Sequence, residues 1–288
     1  MLQIIKVIRI RHWSKNMLIF VIPVLSGNLI FKDLWNNIIY FFVFSLFVSG
    51  TYVINDLIDV ESDKKHPTKK NRPIASGLLS KKKAVILSSS LLLSTLWIAF
   101  LVSKVLLIFL ILYFLLATSY SYFFKFIKYF DLFYLTSFFI LRIILGAYLF
   151  ESNFTSIFIL FTFFSTGTIS IAKKYSILNS ELIKDSKIKS SLNKNYSSED
   201  LFNLFIFFAV VSDVIFAIWI FSNNYIYDFP VFMKIILYVL VTMFLSIFYN
   251  YTKNFETEDI IDLILRKKEL LVLVILFVLF LLYGLNTL

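Results

Sequence analysis

Residues 37–67 read NIIYFFVFSLFVSGTYVINDLIDVESDKKHP, an uncharged stretch from 37 to 54 that runs directly into Asn55, Asp56, Asp59, Glu61 and Asp63. A helix needs about 20 predominantly apolar residues to cross the hydrocarbon core of a bilayer, so this stretch reads as a membrane span that emerges into an acidic segment. If the helix continues, Asn55 and Asp59 are one turn apart, as are Asp59 and Asp63, with Asp56 beside them, and all four share one face. Val53, Ile54, Leu57, Ile58 and Val60 are then left for lipid or neighbouring helices.

The rest of the chain repeats the apolar half of this pattern. Of 288 residues, 59% are hydrophobic and 16% charged, with 35 Phe and 16 Tyr suited to lipid-facing surfaces and interfacial belts. Apolar runs near 17–34, 37–58, 84–102, 105–123, 130–150, 154–172, 201–222, 230–250 and 269–286 predict an all-α polytopic membrane protein of about nine spans, in one domain over 1–288. The basic first 16 residues are followed by an apolar run with no small-residue cleavage site, so 17–34 is expected to stay as the first span. No Cys is present, which removes disulfides, thiolate nucleophiles and Cys-ligated metals, and two His are too few for a His-rich metal site.

The net charge of +10 suits inward-facing loops of a membrane protein rather than nucleic acid. Nine spans place 24 of the 28 Lys and Arg on one side: four before the first span, eight in the loop after the second, Lys125 and Lys128, six in the loop after the sixth and four after the eighth. Only Lys32 and Lys104 fall on the other side, while Arg142 lies within the fifth span and Lys234 near an end of the eighth. The positive-inside bias then predicts a cytoplasmic N-terminus, with the acidic segment also cytoplasmic, in the cell's inner or plasma membrane.

Acids clustered at a membrane boundary cost about 2.5–3.5 kcal/mol each on insertion scales, a cost that a divalent cation offsets. Hard oxygen donors without His or Cys point to Mg²⁺ held by Asp56 and Asp59, with Asn55 and Asp63 beside them and water and substrate phosphate filling the remaining positions. Lys15, Lys69, Lys70, Arg72, Lys125, Lys173 and Lys174 fall on the same side and can hold the other oxygens of a metal-bridged diphosphate. Arg142, deep in an apolar span, should pair with an acid or face a cavity.

The segment Asn55-Asp56-x-x-Asp59-x-x-x-Asp63 resembles the first Asp-rich motif of the UbiA superfamily of intramembrane prenyltransferases, whose fold has nine helices. A narrower resemblance, to the decaprenyl-phosphate phosphoribosyltransferase branch, rests on Arg11-His-Trp13-Ser-Lys15-Asn16 and on Tyr52-x-x-Asn55-Asp56 through His66-Pro67-x-Lys69-x-x-Arg72-Pro73-Ile74-Ala75-x-Gly77. It continues through Tyr120-Ser121, Lys125, Asp131, Arg142 and Gly146, then Ala172-Lys173-Lys174-Tyr175, Glu258-Asp259 and Leu265-Arg266. Such enzymes move 5-phosphoribose from phosphoribosyl diphosphate to a polyprenyl phosphate and release diphosphate. The resemblance therefore implies those two substrates, with Asn55, Asp56, Asp59 and Asp63 as the catalytic set. Lys15, His66, Lys69, Arg72, Tyr120, Lys125, Arg142, Lys173, Lys174 and Tyr175 would bind substrate, with Tyr120 and Tyr175 placed for the sugar. It leaves room for a homo-oligomer.

Ordinary members of the superfamily carry a second Asp-rich motif after span six. Here that loop reads KKYSILNSELIKD over 173–185 and is basic, which suits a sugar 5-phosphate. Ile177 stands where the branch often has an acid, and Lys174 where it often has Arg. The competing reading is transfer of a polyprenyl group from its diphosphate to an aromatic or other acceptor. An anionic-solute transporter would need basic residues in mid-membrane, and only Arg142 answers that description.

Overall fold

The computed structural model describes residues 6–26, 34–65, 69–179, 196–222, 229–257 and 259–286. Its regular elements are helical: α1 (Val21–Leu25), α2 (Leu34–Ile58), α3 (Val60–Lys64), α4 (Lys81–Val102), α5 (Lys104–Tyr122), α6 (Phe130–Leu149), α7 (Ser156–Asn179), α8 (Ser198–Phe221), α9 (Val231–Lys253), α10 (Ile260–Arg266) and α11 (Lys268–Asn286). A 3₁₀ helix over Ile10–Phe20 precedes α1, and single 3₁₀ turns occupy Lys69–Asn71 and Phe124–Phe126. Among the described residues, α2 and α4 to α9, without the short α3, supply seven helices long and apolar enough to cross a membrane, apart from α10 which is short. The expected span at 269–286 is α11. The protein is a multi-pass membrane protein.

The expected first span is where the helical detail differs. Over Ile10–Phe20 the chain is 3₁₀, with only the five residues of α1 following, and residues 27–33 lie outside the described set. Pro23 supplies one physical reason. It has no N–H for the carbonyl of Ile19, four residues earlier, so an α-helical ladder cannot close there. That carbonyl lies instead against Gly146 of α6, where a Cβ would stand 1.8 Å from it. Gly146→Ala must therefore push two backbones apart. An overpacking loss of about 1–3 kcal/mol is expected, and a fall in the thermal midpoint of the purified protein in detergent checks it.

The contacts divide the chain into two compact units, residues 1–134 with 141–153 and residues 135–140 with 154–288. In the first, α2 packs against α4, α5 and the 3₁₀ helix. Val7, Val53, Val60, Ile74 and Ala84 form a buried cluster, so the chain before the 3₁₀ helix and the loop after α3 share a core with α2. Phe44 meets Tyr113 edge-on at 5.5 Å between ring centroids. The outer faces of α4 and α5 expose Trp97, Phe100, Leu101, Ile108 and Leu115, an apolar surface that suits lipid.

In the second unit, α7 and α8 interleave aromatic rings, with Phe158–Trp219 and Phe161–Phe216 centroids both 5.0 Å apart. Gly167 gives Phe208 its place, since a Cβ there would come within 2.5 Å of the ring. Asp213, in mid-helix on α8, accepts hydrogen bonds from Tyr238 Oη (3.0 Å) and Thr242 Oγ1 (2.9 Å) of α9, which satisfies an acid at membrane depth.

Candidate active site

The acidic segment keeps its helical path past the end of α2. Asp59 sits at the junction with α3, yet its N–H donates to the Asn55 carbonyl (2.9 Å) and the Asp63 N–H donates to the Asp59 carbonyl (2.8 Å). These bonds carry the helical register through 55–63, and the four side chains divide into two pairs that take partners from two directions.

Asp56 and Asp63, two turns apart, are 3% and 2% exposed, and Arg72 bridges them. Its Nη1 lies 2.9 Å from Asp56 Oδ1 and 2.7 Å from Asp63 Oδ2. Pro73, Ile74 and Ala75, buried just after Arg72, hold the loop down. Asn55 and Asp59, one turn apart, face α5 and the 3₁₀ turn that follows it. Ser121 donates to Asn55 Oδ1 (2.6 Å), and Lys125 Nζ lies 2.5 Å from Asp59 Oδ1. Ser121 and Lys125 are also four residues apart, so the two elements meet in matching register.

Asp56 has a second cation, Arg9, which pairs with Oδ1 and lies over the Tyr52 ring at 5.0 Å. Sequence reasoning counted Arg9 only among loop charges. No spacing rule links it to Asp56, because the approach is made by tertiary packing across 47 residues.

The remaining expected residues distribute as follows. Lys15 is half-buried on the 3₁₀ helix, and Lys69 stands three residues before Arg72 on its own 3₁₀ turn. Partial desolvation, reinforced by the Arg72 guanidinium and opposed by Asp63 and Asp59, pushes the Lys69 ammonium below its ordinary pKa although the side chain still reaches solvent. Tyr120 is half-buried one residue before Ser121 and stacks on Tyr134 at 6.3 Å. Arg142 is 3% exposed. It donates from Nε to Asn16 Oδ1 (2.9 Å) and from Nη2 to Tyr113 Oη (3.4 Å), beneath the faces of Phe44 and Tyr113. Asn16 in turn donates to Ser45 Oγ (2.9 Å), so neutral amide and hydroxyl groups tie this arginine into the first unit. His66 and Glu258 lie outside the described residues.

Lys173, Lys174 and Tyr175 belong to the second unit, in the last turns of α7. Lys173 is exposed, whereas Lys174 lies over the Tyr196 ring at 4.0 Å. The Tyr175 ring is buried between Phe202 (5.2 Å) and Phe255 (5.3 Å). Ser176 and Thr257 join hydroxyls at 2.6 Å, and Thr257 Oγ1 also donates to the Ala172 carbonyl (3.0 Å), which fastens the loop after α9 to α7.

A carboxamide and three carboxylates are hard oxygen donors, which fits Mg²⁺. No group of three or more His, Cys, Asp or Glu converges on one point among the described residues. Arg9, Arg72 and Lys125 give the motif's carboxylates their cationic partners.

The acidic motif and its cations thus sit at the end of α2 in an all-helical membrane protein. The chain belongs to the UbiA prenyltransferase family, which residues 18–257 match. It is 30% identical over 226 residues, 77% of this chain and 71% of the relative, to decaprenyl-phosphate phosphoribosyltransferase of Mycolicibacterium smegmatis. It shares its fold with a digeranylgeranylglyceryl phosphate synthase (TM-score 0.69, 16% identity, 99% of this chain and 98% of that one). A UbiA homolog from Archaeoglobus fulgidus bound to GPP and Mg²⁺ is also similar (TM-score 0.64, 13% identity, 99% and 98%).

Proposed function

We propose that residues 1–288 act as one transferase domain that moves 5-phosphoribose from phosphoribosyl diphosphate to a polyprenyl phosphate, with release of diphosphate. The observation that carries this reading is the acidic motif compensated by Arg9, Arg72 and Lys125, and the sequence over 173–185, basic where ordinary members of the superfamily carry a second Asp-rich motif, supports it. The named activity of the Mycolicibacterium relative supports it.

In the proposed mechanism a phosphate oxygen of the lipid attacks the anomeric carbon while the bond from that carbon to the diphosphate oxygen breaks. The nucleophile is already anionic, so no general base is required. Mg²⁺ held by Asp56 and Asp59 would supply charge neutralisation to the departing diphosphate. In this reading Asn55, bonded to Ser121, and Asp63, paired with Arg72, orient the surroundings of those carboxylates, and Arg72 and Lys125 would pass from carboxylate to phosphate oxygens. Lys15, Lys69 and Arg142 remain proposed binding residues, with Arg142 acting through the Asn16 and Tyr113 framework. The Tyr175 ring is enclosed by Phe202 and Phe255, which leaves little of it for a sugar contact.

The second reading, prenyl transfer to an aromatic or other acceptor, is favoured by the likeness to the A. fulgidus homolog with GPP. Incubation of membranes with radiolabelled phosphoribosyl diphosphate and polyprenyl phosphate distinguishes them, because label entering the lipid phase is expected only for the first. Changing Lys173 to Ala should raise the apparent KM for phosphoribosyl diphosphate, and not that for the lipid, with about a tenfold loss in kcat/KM. Equal effects on both substrates would make the lysine a loop charge only.

The proposed orientation places the N-terminus and the acidic motif on the cytoplasmic face of the plasma membrane. A reporter inserted in 176–198 should then be cytoplasmic and one fused after Leu288 extracytoplasmic, and finding both on one side would exclude nine spans.

A further inference from the structure

Arg9 is built into the acidic site more firmly than an N-terminal loop charge requires. Two residues before it, Val7 is 1% exposed within the Val53, Val60, Ile74 and Ala84 cluster. One residue before it, the Ile8 carbonyl accepts a hydrogen bond from Ser49 Oγ at 2.6 Å. Four residues after it, Trp13 Nε1 donates to the same Ser49 hydroxyl at 3.0 Å. The chain on both sides of Arg9 is therefore fastened to α2, within two turns of Asp56.

Between these anchors Arg9 adopts φ 52° and ψ 48°, a left-handed conformation that a long L side chain rarely takes, and its carbonyl accepts the His12 N–H (2.8 Å) to open the 3₁₀ helix. The result is a guanidinium held between the Tyr52 ring and Asp56, with a side chain 18% exposed.

Asp56 already has Arg72. With Arg9 added, three carboxylates (Asp56, Asp59, Asp63) are paired with three cations (Arg9, Arg72, Lys125), with Lys69 close by, so the acids are fully compensated without any ion. A divalent cation alone must compete with these cations for the carboxylates and adds its positive charge to acids that are already compensated. Arriving with a diphosphate it does neither, because the diphosphate accepts the displaced guanidinium through a planar, bidentate contact.

We infer that Arg9 is a positioning and binding residue for the leaving diphosphate of the donor: it occupies Asp56 in the empty site and crosses to the diphosphate when metal and donor bind together. This rests on the acidic motif holding a metal–diphosphate, and it holds for either donor considered above. Arg9 thus opposes binding of metal alone and favours the pair, which couples the two ligands.

The test uses Mn²⁺ as an EPR-visible metal and inorganic diphosphate as the anion, with the full chain in detergent. Wild type should bind Mn²⁺ weakly alone and about tenfold or more tightly with diphosphate. Arg9→Gln should tighten Mn²⁺ alone and loosen diphosphate by about tenfold, so that the coupling shrinks from both ends. Arg9→Gly separates this from misfolding: glycine accepts the left-handed backbone, so the thermal midpoint should be kept while the coupling is lost. Arg9→Lys should restore part of the diphosphate affinity. A parallel fall in both affinities, or no change in either, overturns the role of Arg9. Absence of diphosphate-dependent Mn²⁺ binding in wild type would instead remove the metal–diphosphate site beneath it.

Discussion

Asp56→Asn should lower turnover by about a hundredfold or more while leaving a protein that inserts and folds, and Asp59→Asn should do the same. The substitution keeps side-chain size and loses the charge that would bind Mg²⁺. At Asp56 it also leaves Arg9 without its acid, whereas Arg72 retains Asp63. At Asp59 it releases Lys125. Both variants should therefore keep a cooperative thermal transition, and their defect should be lessened by raised Mg²⁺. Steady-state rates across an Mg²⁺ series check this. Near-normal turnover at limiting Mg²⁺ would remove that residue from the ligand set.

Arg72→Leu is expected to be the most damaging change to stability in the first unit. Asp63 is 2% exposed and Asp56 3%, and Arg72 bridges them, so its loss strands a buried carboxylate at Asp63 and half-strands another. Breaking a buried pair from one side costs about 3–5 kcal/mol, and the lower end applies because the Arg72 side chain is 26% exposed and partly screened. The companion variant Arg72→Leu with Asp63→Asn should recover much of the loss, since it removes the stranded charge. Thermal or denaturant unfolding of both in detergent measures the difference. A loss below about 1 kcal/mol for Arg72→Leu would show that solvent already satisfies these acids.

The likeness of the spans to their sequence expectation has a plain cause. A bilayer forces every span to be a long apolar helix with its own backbone bonds closed, so hydropathy alone located α2, α4 to α9 and α11, except that α7 continues past the expected end at 172 to Asn179 and takes Lys173, Lys174 and Tyr175 out of the expected loop. The rule fails in the expected first span, 17–34, whose described part is the end of a 3₁₀ helix and the five-residue α1, with Pro23 unable to bond the Ile19 carbonyl and Gly146 packed against it. The acidic face was legible for the same kind of local reason, because Asn55, Asp56, Asp59 and Asp63 repeat at helical spacing.

Arg142 shows where locality ends. An arginine in a span must be satisfied, and burial required a partner, but nothing in the neighbouring sequence identified Asn16, 126 residues away. Arg9 is the stronger case: among many basic residues on one side of the chain it had no mark of its own, and Tyr175 had none of burial. By itself the sequence determined the membrane class, the helical spans and the one acidic face, since each follows from hydrophobic length or helical periodicity. Only the tertiary structure decided which cation meets which acid, with Arg9 and Arg72 on Asp56, Arg72 on Asp63 and Lys125 on Asp59, because those pairings depend on chain segments that packing, not spacing, brings together.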